Sequence, residues 1–169
     1  LHSFPTRRSS DLSSYEEAES KPELKGMGTT LVAAIFTENT TYILNVGDSR
    51  CYYFSKNDNL VQVSEDHSLV NDLIRIEGME QEKAEAVGRH IITRAVGIWP
   101  VVEGDIYELN DEFKYLMLSS DGLHDYVDDE KMIDILMDNR STGKKLEELV
   151  DAANGAGGYD NITVILVEE

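Results

Sequence analysis

From Leu31 onward the chain alternates short apolar runs with turn-forming clusters. Leu31 to Phe36 is continuously apolar, which predicts a strand buried on both faces. Glu38-Asn39-Thr40 interrupts it, and Thr41 to Val46 makes a second run. Gly47-Asp48-Ser49 is a tight link to a third strand, Arg50 to Phe54. Lys56 to Asn59 turns the chain again into a short fourth strand, Leu60 to Val63. Four strands joined by such short links predict an antiparallel meander.

The period then changes. Ser64 to Ser68 opens a helix, with Ser and Asp available to cap it. Leu69, Val70, Leu73 and Ile74, extended by Ile76, give that helix one apolar face, and Gly78 suits its C-terminal end. Glu80 to Val87 reads as a second helix, charged and exposed. Strands are predicted over Ile91–Val96, Asp105–Leu109 and Tyr115–Ser119, with Gly97 to Pro100 as a loop. Asp128-Asp129-Glu130 puts negative charge where a helix N-terminus favours it. Met132, Ile133, Leu136 and Met137 are its expected buried stripe. Thr142 to Ala153 repeats the pattern through Leu146, Leu149, Val150 and Ala153. A glycine-rich turn, Asn154 to Asn161, leads into a last β-branched strand, Ile162 to Val167.

Residues 1–25 read differently. Leu1 to Leu12 has no period, carries two arginines in an acidic chain and lacks an initiator Met. We expect this region to be a non-native junction or a disordered tail, and residues 26–169 to form the domain. The whole chain is 169 residues, enough for one real core. Its 33 Asp and Glu against 15 Lys and Arg give a formal net charge of −18. That argues against nucleic acid or an anionic membrane as the main partner. The single cysteine, Cys51, excludes an internal disulfide framework and is compatible with a reducing compartment. No apolar run approaches a membrane span and no signal peptide is visible; a cytoplasmic location is expected.

Chemistry is carried by acids at turns. Tyr115 to Leu118 runs into Ser119-Ser120-Asp121-Gly122, so Asp121 leaves the end of a buried strand, and Asp125 follows four residues later. Two carboxylates so placed suit a hard, oxygen-liganded cation such as Mg²⁺ or Mn²⁺. The competing reading is an Asx-turn, with Asp121 bonded to its own backbone. Asp48 and Asp160 share its situation: each sits at a turn beside a predicted strand, with glycine nearby. If those strand ends converge, several carboxylates meet, and they cannot all stay ionised without cations. A two-metal site resolves this and serves displacement at phosphorus. Taken singly, each acid reads as a turn residue. His124 lies between two candidate ligands; the alternatives are a catalytic acid and a side chain that points away into the surface, and the second is expected. His90 is expected to be structural, and nothing near Cys51 suggests a nucleophile.

GMGTT at 26–30, NVGDSR at 45–50, SEDHSLV at 64–70, ITRAVG at 92–97, LSSDGLHDYV at 118–127 and GGYDNITVILV at 157–167 occur in that order. Together they resemble the bacterial branch of the metal-dependent (type-2C) protein phosphatases over Gly26 to Glu169. The resemblance implies an α+β fold, a sandwich of two antiparallel β-sheets flanked by α-helices. It implies hydrolysis of phosphoserine and phosphothreonine in proteins through metal-bound water, with two Mn²⁺ or Mg²⁺ ions and a weaker third. By the same resemblance Asp121 bridges metals, Asp160 is a ligand beside Asn161, Asp48 holds the weaker third ion, and Asp125 lies near it. Residues 72–89 fall where the family has a mobile flap, and His67 and Ser68 match a helix start with a structural role. The implied partners are phosphorylated proteins and a Ser/Thr kinase acting on them, with the phosphatase itself a monomer.

The pattern departs from the family at its beginning. A phosphate-binding Arg, an Asn-x-Asp motif and a DGxGG motif are expected there, and Lys25-Gly26-Met27-Gly28 is not the last of these. We therefore expect a truncated reading frame and an incomplete fold, inactive and poorly soluble as a fragment. The alternative is a phosphatase-like module that binds or regulates without catalysis. A plain Ca²⁺-binding domain ranks behind both, because no EF-hand-type loop is present.

Overall fold

The computed structural model describes residues 5–88 and 90–169. In chain order its elements are helix α1 (Pro5–Ser20), strands β1 (Leu31–Phe36), β2 (Thr41–Val46), β3 (Arg50–Ser55) and β4 (Leu60–Gln62), and helices α2 (Leu69–Glu77) and α3 (Gln81–Gly88). Strands β5 (Asp105–Leu109) and β6 (Phe113–Ser119), helices α4 (Asp121–His124), α5 (Asp129–Met137) and α6 (Thr142–Gly155), and strand β7 (Val164–Glu168) complete it. The chain divides into two compact units. One holds the residues up to Leu31 with Asn45–Asp48 and Asp66–Asp105; the other holds Val32–Leu44, Ser49–Glu65 and Ile106–Glu169.

The second unit is built on two sheets with strand orders β1-β2-β5 and β4-β3-β6-β7. The α+β class with helices flanking two sheets is therefore as the resemblance implied. The predicted meander is not: β1 and β2 share one sheet, whereas β3 and β4 belong to the other. The chain changes sheet at Gly47, whose φ of 106° takes it off the extended path. Ile43 and Leu109 from the smaller sheet pack with Cys51, Leu116 and Leu118 from the larger. This apolar environment pushes the Cys51 thiol up to about 12 by burial, so it is no nucleophile at neutral pH. The opposite face of the larger sheet presents Tyr52 and Met117 to Leu123, Met132, Ile135, Leu149 and Ala153. Burying such side chains stabilises by roughly 1.5–3 kcal/mol each.

Burial corrects two predicted faces. β1 is not enclosed on both sides: it is an edge strand, with Ile35 43% and Phe36 52% exposed. In α5, Ile135 takes the place expected of Met137, which is 53% exposed. Asp128 caps α5 by accepting the Lys131 N–H at 2.8 Å. In α6 the aliphatic stem of Lys145 is buried, and its ammonium donates to the Tyr115 hydroxyl at 2.9 Å. A buried ammonium needs such partners.

The first unit has a small core of Val46, Val96 and Val102, with Leu31 against it. Ser68 caps α2 by accepting the Asn71 N–H at 3.2 Å, and Gly78 ends it in the left-handed conformation. Of the predicted apolar face only Val70 is buried, and Ile76 is 73% exposed. Ile91–Val96 is not a strand. Single bridges, Ser68 to Ile92 and Thr29 to Val96, replace a continuous ladder. In the N-terminal region, expected to be a non-native junction or a disordered tail, α1 and a 3₁₀ turn at Pro22–Leu24 occupy most of the segment. Small residues account for this. Ala18 is buried, and a Cβ added to Gly97 would lie 3.1 Å from the Ser14 Cβ. Leu1–Phe4, part of the expected junction, and Arg89, the end of the expected flap, lie outside the described residues.

Candidate functional site

β6 and β7 pair antiparallel up to Ser119 opposite Val164. Beyond that pair the two strands stay together through Ser120. Its N–H donates to the Thr163 carbonyl at 3.0 Å, and its hydroxyl donates to the Asn161 carbonyl at 3.1 Å and accepts the Thr163 N–H at 3.0 Å. Gly122 then touches the facing backbone: a Cβ there would lie 2.3 Å from the Asn161 carbonyl oxygen. Only glycine permits this approach. Asp121 precedes Gly122 and Asp160 precedes Asn161, so the register delivers both acids to adjoining strand ends.

Each acid also makes the Asx-turn weighed above. Asp121 Oδ1 accepts the Gly122 N–H at 2.8 Å, and Asp160 Oδ1 accepts the Asn161 N–H at 2.7 Å. The turn and a ligand role are compatible, because a carboxylate has further lone pairs. Asp121 is half-buried; Asp160 and Asp125, the latter at the end of α4, are exposed. Among the described residues no group of three His, Cys, Asp or Glu side chains forms a metal cluster. The two strand-end carboxylates have the hard oxygen chemistry of an Mg²⁺ or Mn²⁺ site and the close backbone approach it needs, as part of a donor set.

His124 does not point away. Its Nδ1 lies 3.0 Å from the buried Ser119 hydroxyl, with its ring 6.5 Å from that of Tyr52. Tyr159, beside Asp160, was not singled out in the sequence. It is 77% exposed, yet its ring lies against Gly157 and 5.7 Å from the Tyr126 ring. The Gly-Gly-Tyr run is the signal that could have found it.

Asp48 is half-buried in the first unit, and the two peptides that flank Gly47 are both held. The Gly47 N–H donates to His67 Nδ1 at 3.0 Å. The Gly47 carbonyl accepts the His67 N–H at 2.9 Å and the Asn45 side-chain amide at 3.2 Å. His67 is 5% exposed, which agrees with the structural role expected of it. Its Nε2 meets Asp105 Oδ2 at 3.1 Å, and Arg94 Nη1 donates to Asp105 Oδ1 at 3.1 Å. Burial raises the Asp105 pKa, but the His67 hydrogen bond and the Arg94 charge outweigh it and the net shift is downward. Arg94 and Asp105 were missed, although Arg94 lies in the ITRAVG motif. His90 is exposed in a turn.

The protein phosphatase 2C family model matches residues 3–162. The chain belongs to the protein phosphatase 2C family. The match takes in α1, upstream of Gly26. The serine/threonine phosphatase stp of Listeria welshimeri is 45% identical over 153 residues, covering 89% of this chain and 60% of the relative. This chain thus spans about three fifths of that relative's length. The crystal structure of Stp1, a serine/threonine phosphatase of Staphylococcus aureus, superposes with a TM-score of 0.86 at 34% identity, over 96% of this chain and 64% of that one. The catalytic domain of the serine/threonine protein phosphatase PstP in complex with two manganese ions gives 0.81 at 30% identity, over 95% and 67%.

Proposed function

We propose that the protein is a metal-dependent phosphatase that hydrolyses phosphoserine and phosphothreonine in proteins. The observation that carries this is the contact between the Gly122 and Asn161 backbones, which brings Asp121 and Asp160 to adjoining strand ends in a phosphatase 2C chain. In this reading Asp121 and Asp160 would hold Mn²⁺ or Mg²⁺ ions, and Asp48 and Asp125 would each be a ligand for a more weakly bound cation. The bound ions supply a nucleophilic water at neutral pH and neutralise charge on the phosphoryl oxygens. The chain's own residues present carboxylates on rigid strand ends, where little reorganisation is needed. The manganese of the PstP catalytic domain supports the choice of ion.

The substrates are phosphorylated proteins, with a Ser/Thr kinase as the opposing activity, and the working unit is a monomer in the cytoplasm. Among the described residues no helix is long and apolar enough to cross a membrane. The test is phosphopeptide hydrolysis by the full-length protein. Hydrolysis should vanish on chelation and return with Mn²⁺. Residues 1–169 alone, which lack a DGxGG aspartate, should show none above background. Phosphopeptide binding by the full-length protein without Mn²⁺-dependent turnover would favour the non-catalytic module instead.

A further inference from the structure

We infer that His67 is a positioning residue for Asp48: its ring fixes the Val46–Gly47 peptide, and with it the path of the chain into Asp48, whose carboxylate is assigned to the weaker cation. The inference rests on the proposed metal role of Asp48. A backbone N–H can only donate, so His67 Nδ1, 3.0 Å from the Gly47 nitrogen, must be the acceptor. The ring proton therefore sits on Nε2, where the Asp105 carboxylate receives it at 3.1 Å. Arg94 Nη1 lies 3.2 Å from the same His67 Nε2, but an imidazole has at most one acceptor nitrogen and the Gly47 N–H takes it, so Arg94 donates to the other Asp105 oxygen at 3.1 Å. Asp105 selects the tautomer, and the tautomer selects the Gly47 hydrogen bond. The next peptide, Gly47–Asp48, is held separately by the His67 backbone N–H, which donates to the Gly47 carbonyl and stays in place in H67A, so the ring acts through the Gly47 φ.

Gly47 has no alternative seat. A Cβ there would lie 2.4 Å from Thr30 Cγ2, and φ is 106°. Asp48 follows directly, so a change in the Gly47 φ swings its carboxylate. Partners that orient metal ligands are commonly worth about 10–100-fold in metal affinity. His67 differs from them in acting through backbone, and it needs no contact with the ion.

The experiment is a Mn²⁺ titration of the full-length protein by electron paramagnetic resonance, with D48N, H67A, H67N and the H67A/D48N double variant. D48N identifies the weak site. H67A should weaken that site at least ~10-fold and leave the tighter sites unchanged. Asparagine can offer an acceptor to the Gly47 N–H, so H67N should recover most of the affinity. H67A should add nothing in the D48N background. ¹⁵N spectra of His67 should show the Nε2–H tautomer, and D105A should convert part of it to Nδ1–H. If H67A fails to fold, H67N and D105A carry the same comparison. Equal weakening of every Mn²⁺ site, or a further loss in the D48N background, would show a merely structural histidine and overturn the inference. If D48N leaves the titration unchanged, the metal role of Asp48 fails before His67 is altered, and the inference falls with it. An Nδ1–H tautomer in the unsubstituted protein would overturn it alone.

Discussion

Asp121 and Asp48 both leave the end of a strand and both adjoin a glycine, yet their turns are held by different means. The Asp121 turn is held by backbone. The β6–β7 register, the Ser120 hydrogen bonds and the contact of Gly122 with Asn161 fix it. The Asp48 turn is held by side chains, with His67 gripping Gly47 and Asp105 and Arg94 orienting His67. A turn fixed by strand register is as rigid as the sheet that carries it. A turn fixed by one imidazole is only as firm as that ring's tautomer. In the proposed reading the first turn suits tightly held metal and the second an ion bound more weakly.

Breaking the carboxylates themselves should produce the largest effect. In the full-length protein, Asp121→Asn should lower phosphopeptide turnover in Mn²⁺ by ~10²-fold or more, the scale of a lost transition-state stabiliser. Asp125→Asn should cost far less, because Asp125 is exposed at the end of α4 rather than at the strand contact. Comparable losses would dissolve the distinction between a central and a peripheral acid.

The glycines come next. Gly122→Ala drives a Cβ to 2.3 Å from backbone, which cannot retreat without moving the strand end. It should destabilise by ~1–3 kcal/mol, read as a lowered Tm by calorimetry, with weakened Mn²⁺ binding. Gly47→Ala meets Thr30 from Cγ2 at 2.4 Å through Cβ at 2.7 Å to the backbone Cα at 3.2 Å, so an overpacking cost of ~1–3 kcal/mol should add to the ~1–2 kcal/mol of its positive φ. A neutral Gly122→Ala would mean that the strand contact does not hold Asp121.

The smallest effect concerns pH. The Asp105 carboxyl is held below its ordinary value of 3.8 in the folded protein. A depressed carboxyl adds stability above its unfolded value and loses it as pH falls through the folded one. Asp105→Asn should therefore lower the Tm near pH 7 by an amount that shrinks below about pH 4. Because the side chain is 40% exposed, the effect should stay under ~1 kcal/mol. A Tm difference that grows on acidification would contradict the sign.

The two turns also differ in how far they could be read without coordinates. Asp121 and Asp160 were visible because strand–turn chemistry is local: an apolar run, then Asp-Gly or Gly-Gly-Tyr-Asp. The limits of β5 and the Gly78 helix end were legible for the same reason. The holding of Asp48 was not, because His67 and Asp105 stand 38 residues apart and meet only in the fold. The tight Gly47 link read as a hairpin, since a short link does not reveal that the chain changes sheet. Ile91–Val96 had a strand's composition, but its backbone finds only isolated bridges. α1 escaped a search for apolar periods because it packs through small residues, Ser14 and Ala18.

The central claim is that Asp121 and Asp160 share one divalent-metal site. The direct measurement is anomalous diffraction at the manganese edge from crystals of the full-length protein grown with Mn²⁺. Anomalous peaks are expected at the β6–β7 strand ends, with oxygens of both carboxylates at ~2.0–2.6 Å from the metal, the span from Mg²⁺ to Ca²⁺ with oxygen ligands. Manganese bound elsewhere, with Asp121 and Asp160 touching no common site, would contradict it.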